Sequence, residues 1–421
     1  MSKREPEELF KQRLERVERA IMLKEPDRVP IWAFCCFLPA KYLGTTYAKI
    51  AYDYEEFKKG AIKFASDFDF DTITAANSLD TAIFSLALIE EHPDIAQSVV
   101  LITGPMHDIL QDRYTKWPGR ETSENTYPQF VGGKFMEADE YGKLADDPLT
   151  FINETLIPRV CRSLERPSSA RAYGTLIKLG MEVAKFGNVT MELVMELRNK
   201  LGCPSFPAPM TEAVLDFVGD FMRHPTYTIT DLYRVPDEVK SACDSLLPLA
   251  TKLGIIGGQM ASKLKEFYGV HIIPVFIPLH LNALLSPKLY GEFYWPHLKK
   301  MIEDLINAGF TPWIFFEGDH TPHLETLREL PKGKIIALFE RLDWEKAADI
   351  IKGYQCIMGG LPGSLLMGGT PKKVEEHVKN ILELMMPGGG FILASAEASS
   401  LDFKPENLRA AIEAVKKYGT Y

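Results

Sequence analysis

The chain has 421 residues, a net charge of −9, a pI near 5.6, and 46% apolar against 25% charged residues. It is long enough to bury a full core, lacks the clustered Lys and Arg that phosphate neutralisation requires, and has no run of ~18 apolar residues to span a membrane. Six cysteines do not make a disulfide framework in a chain this long, and the charged start Met1–Glu8 has no apolar signal region, so a cytoplasmic protein is expected, with neither nucleic acid nor membrane as partner.

Residues 7–22 set Leu9, Phe10, Leu14, Val17 and Ile21 near a 3.6-residue period, which predicts an amphipathic helix. Residues 1–26 read as an N-terminal helical extension. Asp27-Arg-Val-Pro30 ends it, and 31–37 reads as a buried strand, followed by a helix over 55–64 and a strand over 68–74. Residues 104–135 mix Pro105, Pro118, Gly119 and Pro128 with Tyr114, Trp117 and Phe130 and show no period. They are expected to form either a lid or a solvated connection.

Helices are expected over 139–164, 170–199, 216–222, 239–253 and 260–267, with Ser205-Phe-Pro-Ala-Pro-Met210 as punctuation. From residue 271 strands (271–279, 312–317, 334–339, 355–359, 391–396) alternate with single helices (287–308, 321–329, 344–352, 371–385, 405–418). Such alternation requires right-handed parallel crossovers. The expected fold is α/β: a (β/α)8 TIM-type barrel with N-terminal helices and helical insertions, one domain over 1–421.

In such folds chemistry gathers at the carboxyl ends of the strands. The apolar run from Thr311 ends in Glu317, Gly318, Asp319 and His320; the run from His271 ends in His280; Gln355–Gly360 carries Cys356; Gly390–Glu397 ends in Glu397. His280, Glu317, Cys356 and Glu397 are therefore candidate metal ligands, and Glu317, Asp319 and His320 candidate catalytic groups. Trp313, Phe315, Phe316 and Tyr294 are candidates for an aromatic substrate pocket, with His107 reaching it from the lid. Plainer roles stand beside these: Asp319 as a helix N-cap, Cys356 as a small buried hydrophobe, the aromatics as core.

Asp27-Arg-Val-Pro30, Phe68-Asp-Phe-Asp71, Glu317-Gly-Asp319, Gly359-Gly-Leu-Pro362, Gly369-Thr-Pro-Lys-Lys-Val374, Gly388-Gly-Gly-Phe-Ile-Leu393 and Lys404-Pro-Glu-Asn-Leu408 occur in this order. Together they resemble the uroporphyrinogen decarboxylase superfamily, closer to its zinc- and corrinoid-dependent methyltransferase branch than to the true decarboxylases. Those decarboxylases hold substrate carboxylates with arginines after the first strand, and Ala33–Pro39 has none. The branch's His-x-Cys and later Cys zinc ligands fall on Phe315, Glu317 and Glu397, so the resemblance implies an oxygen and nitrogen set in place of thiolates.

It implies further that zinc polarises the ether oxygen of a methoxylated aromatic donor, and that the methyl group passes to the cob(I)alamin of a separate corrinoid protein, as in an O-demethylase. A variant without metal uses Glu317 as a general acid whose pKa is raised by burial. Two rivals remain: a metal-free lyase using Asp80, with Lys116, Arg120 and Arg341 as cations, and a non-catalytic tetrapyrrole or corrinoid binder. Barrels often form homodimers, but no interface is legible.

Overall fold

A computed structural model describes residues 5–37, 39–396 and 403–421. Seven parallel strands, β1 (Ile31–Cys35), β2 (Thr72–Ala75), β3 (Pro274–Leu279), β4 (Thr311–Asp319), β5 (Ile336–Arg341), β6 (Cys356–Gly360) and β7 (Phe391–Ala394), pair in the order β2-β1-β7-β6-β5-β4-β3. The sheet curls into a barrel, and strand alternation divides its side chains between two cores. Trp32, Trp313, Leu338, Cys356, Met358 and Ile392 turn inward as one cluster. Ile31, Ile314, Phe316, Phe339, Ile357 and Phe391 turn outward beneath the helices.

The predicted N-terminal helix is α1 (Pro6–Ile21). Its Phe10, Leu14, Val17 and Ile21 pack with the inward cluster and close the barrel at the strands' amino ends, each contributing about 1.5–3 kcal/mol. Its other face explains two sequence motifs. Buried Asp71 accepts from Arg16, from both Arg28 terminal nitrogens at 2.8 and 2.9 Å, and from the backbone N–H of Ile31 at 2.8 Å. Asp27 takes Arg16 from the other side. Asp27-Arg-Val-Pro30 and Phe68-Asp-Phe-Asp71 thus clamp helix to barrel floor. With its acids spent there, the strand predicted over 68–74 starts only at Thr72.

The eighth position, between β3 and β2, is filled by the segment 204–211. It bonds to β3 through its backbone (Phe276 N–H to Pro209 O, 2.8 Å; Thr211 N–H to Phe276 O, 3.1 Å). Toward β2 the recorded bonds come from side chains, Thr72 Oγ1 to Pro204 O at 2.8 Å and Ser205 Oγ to Ile73 O at 3.4 Å. Pro204, Pro207 and Pro209 have no N–H to give, so a regular strand cannot form and the wall is weakest here.

Outside the barrel lie α2 (Tyr54–Asp67), α3 (Ala170–Leu201) and α4 (Pro236–Lys263), the last running through Pro248 and joining most of two predicted helices. Four further helices, α5 (Trp295–Asn307), α6 (Trp344–Ile350), α7 (Pro371–Met385) and α8 (Pro405–Tyr418), cover the strands of the second half. The expected lid is a packed unit: a helix over Gly104–Leu110, an antiparallel pair of Thr115–Lys116 with Gln129–Phe130, and buried Tyr114 and Trp117. The helix expected over 321–329 is a 3-10 helix. No described helix is long and apolar enough to cross a membrane.

Candidate active site

β4 decides which of its residues reach the barrel interior. Trp313, Phe315 and Glu317 line a cavity of about 620 Å³, within the size range of small-molecule sites. Phe316 points the other way, fully buried and stacked on Phe339 at 5.0 Å between ring centres, so it is not the substrate contact expected of it. Beyond Phe316 the pairing with β5 shifts register. Gly318, at φ +67, makes that turn, and a Cβ on it would stand 2.4 Å from that of Ala283.

The turn carries the next two candidates away from the cavity. Exposed Asp319 accepts from the Thr321 N–H at 2.9 Å, but the N-cap of the following helix is His320, so Asp319 does not take the capping position expected of it. His320 is buried against Phe316 and Phe339 with neither ring nitrogen bonded. Burial, then His323, holds its pKa well below the usual range, so it stays neutral. Neither residue lines the cavity. His107 also lies elsewhere, bonded through Nδ1 to Asp112 at 2.5 Å inside the 104–135 unit. Tyr294 is buried outside the cavity and donates its hydroxyl to Asp216.

The ionisable groups that do gather are mostly carboxyls. Glu317 and Asp80 face the cavity. Burial, aided by Asp220, Glu340 and Asp216 against an opposing His280, pushes Glu317 up to about 7. Burial likewise lifts Asp80 to about 6 against its bond to Glu212, and lifts Glu212 well above the carboxylate range. One oxygen of each is buried without another partner; a shared proton satisfies both.

Behind Glu317, His280 bonds through Nδ1 to Asp220 at 2.6 Å, and that bond raises its pKa to about 9. Asp216, pushed up to about 7 by burial and by Asp220, accepts from Tyr294 and from the N–H groups of His280 and Leu281. Among the described residues the imidazolium of His280 is the cation that opposes the upward shift of Glu317.

Three of these acids escaped the reading of the sequence. Glu212, Asp216 and Asp220 recur every fourth residue, Glu212 just before a short helix (Val214–Asp216), Asp216 within it and Asp220 in the π-helical turn that follows (Phe217–Arg223). The signal was present in part: Asp216 and Asp220, at i and i+4 inside an otherwise apolar run, share one buried helical face. Gly219 lets this turn close on the segment just after β3, since a Cβ there would stand 2.8 Å from Leu281.

Of the three described zinc-ligand candidates, His280 and Glu317 are neighbours and Cys356 is remote from them. Cys356 opens β6 at the barrel floor, about 13 Å of strand rise from the end that carries the acids. Burial raises its thiol pKa and keeps it protonated. Glu397 lies outside the described residues. His280 already spends Nδ1 on Asp220. Among the described residues no three His, Cys, Asp or Glu side chains are arranged to hold a metal. The described donor set does not fit a zinc centre.

Comparison with known proteins adds a family and a fold. The sequence profile described as uroporphyrinogen decarboxylase (URO-D) matches residues 205–418. A methylcobamide:CoM methyltransferase, MtbA, from Methanosarcina acetivorans is 24% identical over 155 residues, 36% of this chain and 43% of that protein. The match thus spans less than half of the relative's length. A solved methyltransferase from Methanosarcina mazei superposes with a TM-score of 0.60 over 96% of this chain and 98% of its own, at 14% identity. That likeness supports the barrel fold.

Proposed function

Because this chain belongs to the uroporphyrinogen decarboxylase (URO-D) family, and a partial relative is named a methylcobamide:CoM methyltransferase, we propose that it transfers a methyl group from a neutral methoxylated arene to a corrinoid on a separate protein, the methyltransferase step of an O-demethylase. Glu317 carries the reading. It is a carboxyl at the carboxyl end of a barrel strand, on a mostly apolar cavity, with a pKa near 7.

A corrinoid bound to the partner would supply a cobalt(I) nucleophile, and its electron pair would make the new bond to the methyl carbon. The old C–O bond breaks, its pair stays on the aryl oxygen, and Glu317 gives that oxygen its proton. The His280 imidazolium, held by Asp220, stabilises the carboxylate left behind, and solvent returns the proton. A general acid of this kind contributes roughly 10²–10⁴-fold. Trp313 lines the same cavity, and its Nε1–H is buried without a partner. A polar substituent of the donor would satisfy it.

Lyase chemistry on an anionic substrate is less well served. No Lys or Arg is among the described residues lining the cavity, and Arg120 pairs with Asp108. The test is to mix the chain with chemically reduced cob(I)alamin and a panel of methoxybenzenes. Methylcobalamin and the demethylated phenol should form in equal amounts. No conversion with any donor overturns the assignment.

A further inference from the structure

We propose that the cavity has a second, lateral arm that leaves the barrel between β2 and the segment 204–211 and holds a linear, uncharged, apolar tail on the methyl donor. This rests on the reading of the cavity as the donor site. Ser205, Phe206, Pro207, Ala208, Pro209 and Met210 all line the cavity. The same cavity is lined by inward barrel residues on one side of this segment and by α3 and α4 on the other, so it passes from one side to the other.

The missing ladder toward β2 explains the passage. On the far side the lining comes from Thr190, Leu193, Val194 and Leu197 of α3, Met260 and Ala261 of α4, and Leu264 just beyond it. Phe206 and Ala261 belong to the same apolar cluster as the inward barrel residues Trp32 and Trp313, so the apolar interior continues through the wall. Gln97 keeps the segment at a fixed distance from α4, bonding to the Met210 and Leu253 carbonyls at 2.8 and 3.0 Å and accepting from the Met210 N–H at 3.1 Å. Gly257 marks the edge of the arm, where a Cβ would stand 2.7 Å from Pro209.

The chemistry of the arm sets what enters it. The two carboxyls that face the cavity, Asp80 and Glu317, sit at the strand ends, and α3 and α4 contribute no charged group to the lining. A charged tail would lose its hydration without compensation. Leu264 is 40% exposed, so the far end reaches the surface and suits a linear tail of variable length.

The test is calorimetric titration of the chain, without corrinoid, with 4-alkylanisoles from methyl to hexyl and with the matching alkylbenzenes that lack the methoxy group. Affinity should rise about fourfold per methylene, as burial of a CH₂ gives. In Met260→Trp, which fills the arm, the series should flatten while the shortest member binds as before. A flat series in the unaltered chain overturns the arm even if methyl transfer proceeds. A rising series in the alkylbenzenes upholds it even if methyl transfer fails.

Discussion

At the scale of single residues, Glu317 sets the pH behaviour. Its pKa is raised to about 7 in the fold, against the ordinary range near 4.3 for a free Glu. As the proton donor it is competent below about pH 7, so methyl transfer should fall about tenfold per pH unit above that value. Glu317→Gln should remove this limb and slow transfer by about 10²–10⁴-fold. Asp216 titrates in the same range, so the limb reports the carboxyl group as a whole. The same shift affects stability. A raised folded pKa contributes stability that is fully present below the unfolded value and lost as pH rises through about 7. Unfolding of the wild type should show this loss, and that of Glu317→Gln should show less.

A second residue-scale consequence concerns Asp216, buried and bonded by Tyr294. Above about pH 7, where Asp216 is ionised, Tyr294→Phe should lower stability by about 1.5–3 kcal/mol, the contribution of a hydrogen bond to a charged group, read as a shift of the urea midpoint. An unchanged midpoint would show that the two backbone N–H donors suffice.

At the scale of elements, β4 separates function from packing by one residue. Phe315 lines the cavity and Phe316 packs outward on Phe339. Phe316→Ala should cost about 3–5 kcal/mol of stability with little change in donor affinity. Phe315→Ala should cost less stability and weaken donor binding. Urea denaturation together with titration of anisole checks the split, and equal effects at both positions would contradict it. This is also where legibility stopped. The apolar run Trp313–Phe316 announced a strand, and its end at Glu317 announced a site. Which aromatic faced inward depended on register, and the turn at Gly318 then carried Asp319 and His320 out of the cavity. Cys356 was misplaced for a plainer reason: it opens its strand, and in a parallel barrel the first residue of a strand belongs to the amino end, opposite the acids.

At the scale of the whole molecule, the second half was readable because each strand and helix there is regular and amphipathic. The seven parallel strands and α1 follow the predicted order. The eighth position was not legible, because its prolines look like loop punctuation while tertiary contacts with β3 hold it in the wall. The acids behind Glu317 were hidden differently. Their four-residue spacing is visible, but their convergence on His280 depends on the close approach of the π-helical turn to the segment just after β3. Barrel and site therefore share one design: a clamped, apolar floor at the amino ends and a carboxyl cluster with one imidazolium at the other.

The most direct test of the account is the rate of methylcobalamin formation from 4-alkylanisole and cob(I)alamin, followed by absorbance for the wild type and for Glu317→Gln at pH 6. The account predicts conversion by the wild type and a loss of about 10²–10⁴-fold in the variant, with donor affinity preserved. Equal rates in the two proteins, or no conversion by either, would contradict it.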